Sequence, residues 1–322
     1  MKILVTGANG FVGQALCKYH SKTSMDQVVA AVRRRGQVPG DITQKIVGDI
    51  SGHTSWHEAL DGVDAVAHLA GRAHVMRDTS ADPLSAYQAV NTEGTLNLAS
   101  QAAEAGVKRL VFLSSIKVCG EGQSRVSDDA YTERQSCSPS DPYAVSKHEA
   151  ELGLREIART TGLEVTILRP PLVYGPGVGA NFLRLMQAVN RGWPLPFGGI
   201  DNRRDLIFLG NLVNAITLCT KHPAAANKTF LLADGEGLST PALIRRIGAA
   251  LNRPARLITV PPDWLHFAAG LAGKRMAIER LLGSLMVDSR AIRRDLAWQP
   301  PYSIEEGLAA TADWFRQQQT KE

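Results

Sequence analysis

Tyr143 and Lys147 stand four residues apart in Ser140-Asp141-Pro142-Tyr143-Ala144-Val145-Ser146-Lys147. Asp141 or Ser140 can cap a helix there and Pro142 suits its first turn, so both side chains leave one helix face. A phenol with an ordinary pKa of about 10 is a weak base at neutral pH, and a neighbouring ammonium lowers the cost of its phenolate. Such a pair can exchange a proton with a hydroxyl or carbonyl while a hydride moves. Y-x-x-x-K alone is frequent by chance, and a companion segment gives it weight. Leu110-Val111-Phe112-Leu113-Ser114-Ser115 reads as a buried strand ending in hydroxyls, and in a doubly wound sheet ligands bind beyond the strand C-termini. Ser115 is the expected partner of the reacting oxygen, with Ser114 a strand-end hydroxyl.

A strand-like Lys2–Thr6 runs directly into Gly7-Ala8-Asn9-Gly10-Phe11-Val12-Gly13, followed by an apolar-periodic helix carrying Phe11, Ala15, Leu16 and Tyr19. Small residues at such a turn let the backbone approach a pyrophosphate, whose charge rests at the helix N-terminus. Its place between the first strand and first helix of a βαβ unit is the context that gives the motif meaning. At the end of the second strand a carboxylate ordinarily binds the adenine ribose of NAD. This chain has Val32-Arg33-Arg34-Arg35 instead. With no acid to repel a 2′-phosphate, Arg33 and Arg34 predict that NADP(H) is preferred, with NAD(H) possible.

These groups need a scaffold. Ile3–Thr6, Val28–Val32, Lys45–Val47, Ala65–Leu69, Arg109–Leu113 and Val165–Leu168 read as strands, with helical segments between most of them. The pattern predicts an α/β fold, a Rossmann-type doubly wound parallel sheet over residues 1–171. After Arg169-Pro170-Pro171 the texture changes to Gly/Pro-punctuated loops, which predicts a smaller C-terminal substrate-binding domain over 172–322. A helical Leu212–Cys219 and a strand-like Lys228–Leu232 could rejoin the first sheet, making the division discontinuous, with the return at about 207–232.

Of the 322 residues 44% are apolar and 21% charged, which excludes disorder, collagen and coiled coil. The net charge is only +5 and the basic residues are scattered, so a small anionic ligand is favoured over nucleic acid. Cys17, Cys119, Cys137 and Cys219 form no C-x-x-C pair and the histidines no H-x-x-x-H, so no metal site is expected. No window has the roughly 18 apolar residues of a membrane span, and no charged leader precedes the first strand, so the chain reads as cytoplasmic.

Glycines at 7, 10 and 13 resemble the T-G-x-x-G-x-x-G of short-chain dehydrogenases/reductases. Leu168-Arg169-Pro170-Pro171-Leu172-Val173-Tyr174-Gly175-Pro176-Gly177, Arg204-Asp205-Leu206-Ile207 and Tyr302-Ser303-Ile304-Glu305-Glu306-Gly307-Leu308 look like landmarks of the extended branch. That branch is the NAD(P)-dependent nucleotide-sugar epimerase/dehydratase group, and the resemblance covers essentially the whole chain. It implies that Asp49 and Ile50 lie at the adenine ring, that Leu69, Ala70 and Gly71 form the turn beneath the nicotinamide, and that Asn91, Lys147 and Pro170 complete the cofactor site. It also implies Ser115 as the catalytic hydroxyl beside Tyr143 and Lys147. A nucleoside diphosphate would be held by Asn181, Phe197, Arg204 and Arg280. The plainer readings are that Asn181 caps a helix over Phe182–Val189, that Phe197 is core and that Arg280 is a solvated helix face.

Departures from the family pattern narrow the activity. Dehydratases of the family carry Asp-Glu after the catalytic hydroxyl, where this chain has Ile116-Lys117. Its 4-epimerases usually have an acid after the second strand, and many have Asn where Pro171 stands. The expectation is therefore an NADPH-dependent C4-keto reductase of a 4-keto-6-deoxy nucleotide sugar, UDP-linked and N-acetylated, feeding polysaccharide synthesis. The alternative is an NAD-dependent UDP-sugar 4-epimerase, and a third reading is a non-catalytic dinucleotide sensor. Relatives commonly dimerise through helical faces, and Leu84–Glu104 with Pro142–Arg159 would suit a homodimer.

Overall fold

Val, Ile, Leu and Ala fill central strands that are buried on both faces, the composition of a parallel sheet covered on each side. The computed structural model describes residues 1–23, 26–38, 41–73, 82–120, 130–261, 264–265 and 282–320. Among these the strands are β1 (Lys2–Thr6), β2 (Gln27–Val32), β3 (Thr43–Ile46), β4 (Ala65–His68), β5 (Arg109–Leu113), β6 (Glu164–Arg169), β7 (Leu172–Tyr174), β8 (Leu206–Phe208) and β9 (Thr229–Leu231). The main sheet runs β3-β2-β1-β4-β5-β6-β9, every pair parallel, and β7 pairs with β8 apart from it. Strand order reverses between β1 and β4, and at such a switch point a crevice opens beyond the strand C-termini.

The described helices are α1 (Phe11–Thr23), α2 (His57–Leu60), α3 (Pro83–Gln88), α4 (Gly94–Glu104), α5 (Pro142–Thr161), α6 (Ala180–Asn190), α7 (Leu209–Lys221), α8 (Thr240–Ala250), α9 (Arg290–Leu296) and α10 (Ile304–Gln319). Alternation along β1 sends Ile3 and Val5 into a core with Leu16, Leu212 and Ile292, while Leu4 joins Trp56, Leu98 and Leu154 on the other face. A third core gathers Tyr174, Phe182, Met186, Ile244, Leu308 and Phe315 from α6, α8, α10 and the small sheet. No helix among the described residues is long and apolar enough to cross a membrane.

The structure corrects one expected element. Leu84–Glu104 is not one α-helix: α3 passes into a π-helical turn over Ala89–Glu93 before α4 resumes. The wider turn inserts a residue and brings both Asn91 and Thr92 to α5, where Asn91 Nδ2 donates to Ser146 Oγ at 3.0 Å and Thr92 Oγ1 to Ser146 O at 2.9 Å. Where α4 resumes, Gly94 lets it close on the loop after β3, since a Cβ there would lie 2.5 Å from Ile50 Cγ2.

Candidate active site

The turn from β1 to α1 is built by its glycines. Gly7 takes φ +64°, and a Cβ on it would lie 2.7 Å from Ala70 N; one on Gly13 would lie 2.1 Å from Gly7 O. Both glycines therefore let turn, helix and the 69–71 loop close on one another. Gly10 is exposed and meets only Gly7 O, at 3.1 Å. Asn9 O accepts from Gln14 Nε2, Val12 is half-buried against the sheet core, and Phe11 packs toward Gly177. A helix leaves its first N–H groups without intrahelical partners and carries partial positive charge at that end, so the start of α1 fits a pyrophosphate.

Beyond β4 the loop is held from inside. His68 is buried between Thr6 Oγ1 at 2.7 Å and Thr95 Oγ1 at 2.8 Å, and Thr6 Oγ1 also accepts from Ala70 N at 3.1 Å. Burial first, and then the charge of Lys147, pull the His68 pKa down to about 3, so the ring is neutral and acts as a fixed strut. Asn91 is buried and pins the same loop, with Oδ1 accepting from Arg72 N at 2.7 Å and Nδ2 donating to Arg72 O at 3.1 Å. A Cβ on Gly71 would lie 3.1 Å from Asn91 Oδ1 and 3.2 Å from Lys147 Nζ, so the three meet in one corner. Leu69 packs on the sheet core, and Pro170 is buried with its carbonyl accepting from Ile116 N at 3.0 Å.

Asp141 caps α5 by accepting from Ala144 N at 2.7 Å, Pro142 sits in the first turn, and the helix ends at Gly162 with φ +79°. From this helix Tyr143 reaches a side-chain hydrogen bond with Ser115, and Lys147 Nζ donates to Leu113 O at 3.0 Å. Lys147 Nζ also lies 4.4 Å from the centre of the Phe112 ring. Ser115 caps the short 3-10 turn Ile116–Cys119, accepting from Lys117 N at 3.3 Å, while Ser114 Oγ turns inward to Glu151 Oε1 at 2.6 Å. Ser115, Tyr143 and Lys147 thus converge at the C-terminal end of β5.

The titration of the pair differs from expectation. Tyr143 is pushed up to about 12, because burial of the phenol outweighs the hydrogen bond from Ser115 and Asp141 adds repulsion. Lys147 is pulled down to about 8 by burial, against the attraction of Glu151. Burial of the phenol thus runs against the lowering expected from Lys147. The Tyr87 ring stands edge-on to Tyr143 at 6.1 Å, with the Arg72 guanidinium 5.4 Å from the Tyr87 ring centre.

Arg33 and Arg34 are exposed at the end of β2, and Arg33 Nη1 lies 3.5 Å from Asp49 Oδ1, so the expected phosphate ligand and the expected adenine ligand pair with each other. Ile50 packs beside Gly94. Asn181 is exposed inside the first turn of α6, whose N-cap is Gly179, so it does not cap a helix beginning at Phe182. Phe197 is half-buried against the third core. Arg204 is half-buried, its charge opposed by burial, and Nη1 donates to Gly283 O at 2.7 Å. Arg280 lies outside the described residues. The sequence reading overlooked His68, Ser146, Glu151 and Arg72 as supports; only Glu151, four residues beyond Lys147, carries a local signal.

A parallel sheet with a glycine turn at its switch point and a Ser/Tyr/Lys cluster beyond β5 defines a dinucleotide-dependent oxidoreductase fold. The family model for the NAD dependent epimerase/dehydratase family matches residues 3–233, and the chain belongs to that family, within the extended short-chain dehydrogenases/reductases. It is an NAD(P)-dependent enzyme of the oxidoreductase/epimerase type. A UDP-glucose 4-epimerase of Vibrio cholerae is 44% identical over 98% of this chain and 95% of its own length. A 2-alkyl-3-oxoalkanoate reductase of Stenotrophomonas maltophilia is 30% identical over 96% of this chain and 97% of its own. Among solved structures, UDP-glucuronic acid 4-epimerase from Bacillus cereus in complex with NAD superposes with a TM-score of 0.79 at 21% identity, covering 99% of each chain, a likeness of fold.

Proposed function

We propose that the protein is a 4-epimerase of a UDP-linked sugar, the second of the two catalytic readings of the sequence. The observation that carries it is the hydrogen-bonded Ser115–Tyr143 pair beside buried Lys147 at the end of β5. The 44% identical relative supports the UDP-sugar and the epimerase activity over the reductase. Gly7, Asn9, Gly10, Phe11, Val12 and Gly13 would hold the pyrophosphate, Asp49 and Ile50 the adenine, and Leu69 to Gly71, Asn91, Lys147 and Pro170 the nicotinamide end. Held there, an oxidised dinucleotide would supply a hydride acceptor and a positive charge.

Tyr143 takes the proton of the C4 hydroxyl as hydride leaves C4, and returns it to the same oxygen after the 4-keto sugar has turned its other face. Ser115 holds that oxygen throughout, and Lys147 orients the nicotinamide ribose. A phenol at about 12 is protonated at neutral pH, so its service as a base depends on charge arriving with the dinucleotide. Asn181, Phe197, Arg204 and Arg280 remain the proposed nucleotide contacts, and Leu84 with Leu152, exposed on α3 and α5, would face a second copy in a homodimer.

A second reading, the NADPH-dependent 4-keto reductase, is favoured by one feature: Arg33-Arg34-Arg35 follows β2 with no acid among them. One experiment separates the two. Purified protein is incubated with UDP-glucose or UDP-N-acetylglucosamine and followed by NMR together with dinucleotide absorbance. The 4-epimer forming with no net change in the dinucleotide supports the epimerase. No 4-epimer, together with stoichiometric NADPH consumption when a 4-keto UDP-sugar is offered, replaces it with the reductase.

A further inference from the structure

Directly behind the catalytic cluster lies a polar node that the proposed chemistry does not use. The buried Glu151 carboxylate accepts from Ser114 Oγ, from Arg169 Nε at 2.9 Å and from Arg169 Nη2 at 2.5 Å. The outer side of the same guanidinium meets two thiols, with Nη1 3.5 Å from Cys119 Sγ and Nη2 3.1 Å from Cys137 Sγ. The two cysteines flank a backbone hydrogen bond, from Ser138 N to Val118 O at 3.1 Å, which joins the 3-10 turn after Ser115 to the segment leading into α5. Their side chains also pack in one small core. Cys119 is buried and Cys137 is partly open.

Cys137, His148 and Glu151 present ligand-type atoms within 4.8 Å of one another. A metal is disfavoured there, because Glu151 already serves Arg169 and also lies 3.3 Å from Arg155 Nη2, and a dication would sit against the Arg169 guanidinium. His148 Nδ1 is buried and without a hydrogen-bond partner, and a ring nitrogen of this imidazole lies within 4.8 Å of the thiol. A partly open thiol beside a fixed guanidinium and an imidazole is the environment of a reactive cysteine.

We propose that Cys137 and Cys119 are a peroxide-reactive thiol pair, held on the two nitrogens of one guanidinium, whose oxidation to a disulfide slows the adjacent active site. The Cys137 thiolate attacks hydrogen peroxide; the O–O bond breaks, an S–O bond forms and one water leaves once hydroxide is protonated. Cys119 sulfur then attacks Cys137 sulfur, forming S–S and breaking S–O, and its proton leaves with the second water. Two thiols lose two electrons and the peroxide gains two. Burial pushes Cys119 up to about 11, which suits the second, slower partner. The bond ties the turn that begins at Ser115 to the entry of the helix that carries Tyr143, so their mutual approach is altered.

The test treats the full chain with graded hydrogen peroxide, followed by alkylation and non-reducing peptide mass mapping. A 119–137 cross-link 2 Da lighter than the paired free peptides, reversed by dithiothreitol, is expected, with turnover falling several-fold and returning on reduction. Buried Cys17 and Cys219 serve as internal controls. Cys137→Ala, and separately Cys119→Val, should keep basal turnover and lose its peroxide sensitivity. Sulfinic acid at Cys137 without the cross-link overturns the proposal, as does a cross-link that leaves turnover unchanged. Stoichiometric zinc retained by Cys137, His148 and Glu151 in the reduced protein also overturns it. The turnover arm rests on the epimerase reading and the mass arm does not, so a wrong substrate is recognised by inactive reduced protein that still cross-links.

Discussion

The two ends of the proposed dinucleotide site are built on opposite principles. At the nicotinamide end Asn91, His68, Lys147 and Glu151 are buried and tied down: Asn91 to Arg72 and Ser146, His68 to Thr6 and Thr95, Lys147 to Leu113 O, Glu151 to Arg169. At the adenine end Arg33 and Asp49 are 64% and 89% exposed and touch only across 3.5 Å, an ion pair that water and salt screen. Chemistry needs groups fixed within fractions of an ångström in a low dielectric, while discrimination between dinucleotides tolerates mobile charges in solvent. Substitutions at the inner end should therefore be severe and insensitive to salt, and those at the outer end mild and salt-dependent.

The largest expected effect is on catalysis. Tyr143→Phe should lower turnover by about 10²–10⁴-fold with dinucleotide affinity nearly unchanged; a variant retaining half its rate in a steady-state assay removes Tyr143 from the mechanism. Next comes the buried ion pair. Arg169→Met should cost about 3–5 kcal/mol in urea unfolding, because it leaves Glu151 buried with only the half-exposed Arg155 opposite, whereas Glu151→Gln with Arg169→Met should cost less than the single change. Equal losses would mean that the pair contributes packing alone.

Lys147 links the inner end to pH. Its folded pKa of about 8 lies below the ordinary 10.5, so the unfolded chain binds more protons between those values and stability rises with pH across that window, by about 3 kcal/mol from this group. Tyr143 has the opposite sign, since its folded pKa of about 12 exceeds 10 and its contribution is lost as pH rises from about 10 to 12. Unfolding free energies of wild type minus Lys147→Met should therefore increase from pH 8 to 10; a flat difference would show that the ammonium is not desolvated. The smallest effect belongs to the outer end. Arg33→Ala with Arg34→Ala should weaken NADPH binding about tenfold, near 1.4 kcal/mol, leave NADH alone, and lose this difference at high salt. Unchanged NADPH affinity would make the arginines a solvated loop.

What was legible followed from locality. The central strands of the sheet were readable because they carry their own apolar runs, and Tyr143 with Lys147 because a helix brings residues four apart onto one face. The π-helical turn at Ala89–Glu93 was not readable, since it follows from the demands of α5 on Asn91 and Thr92 more than fifty positions away. The bracing role of His68 was not readable, because its partners Thr6 and Thr95 lie 62 and 27 positions from it. The helix expected to begin at Phe182 begins at Ala180, with Gly179 at the cap.

The order of apolar runs, the glycine turn after the first of them and the Y-x-x-x-K spacing are properties of neighbouring residues, so the amino-acid sequence by itself determined the doubly wound fold and the residue types of the candidate site. Ionisation and alignment are not local. Whether Tyr143 is held high, whether Lys147 is pulled low, and which thiols share a guanidinium depend on solvent exclusion and on charges contributed by segments distant in the chain. Those were decided by the tertiary structure, because only packing sets the dielectric around a charge and the distance to its partner.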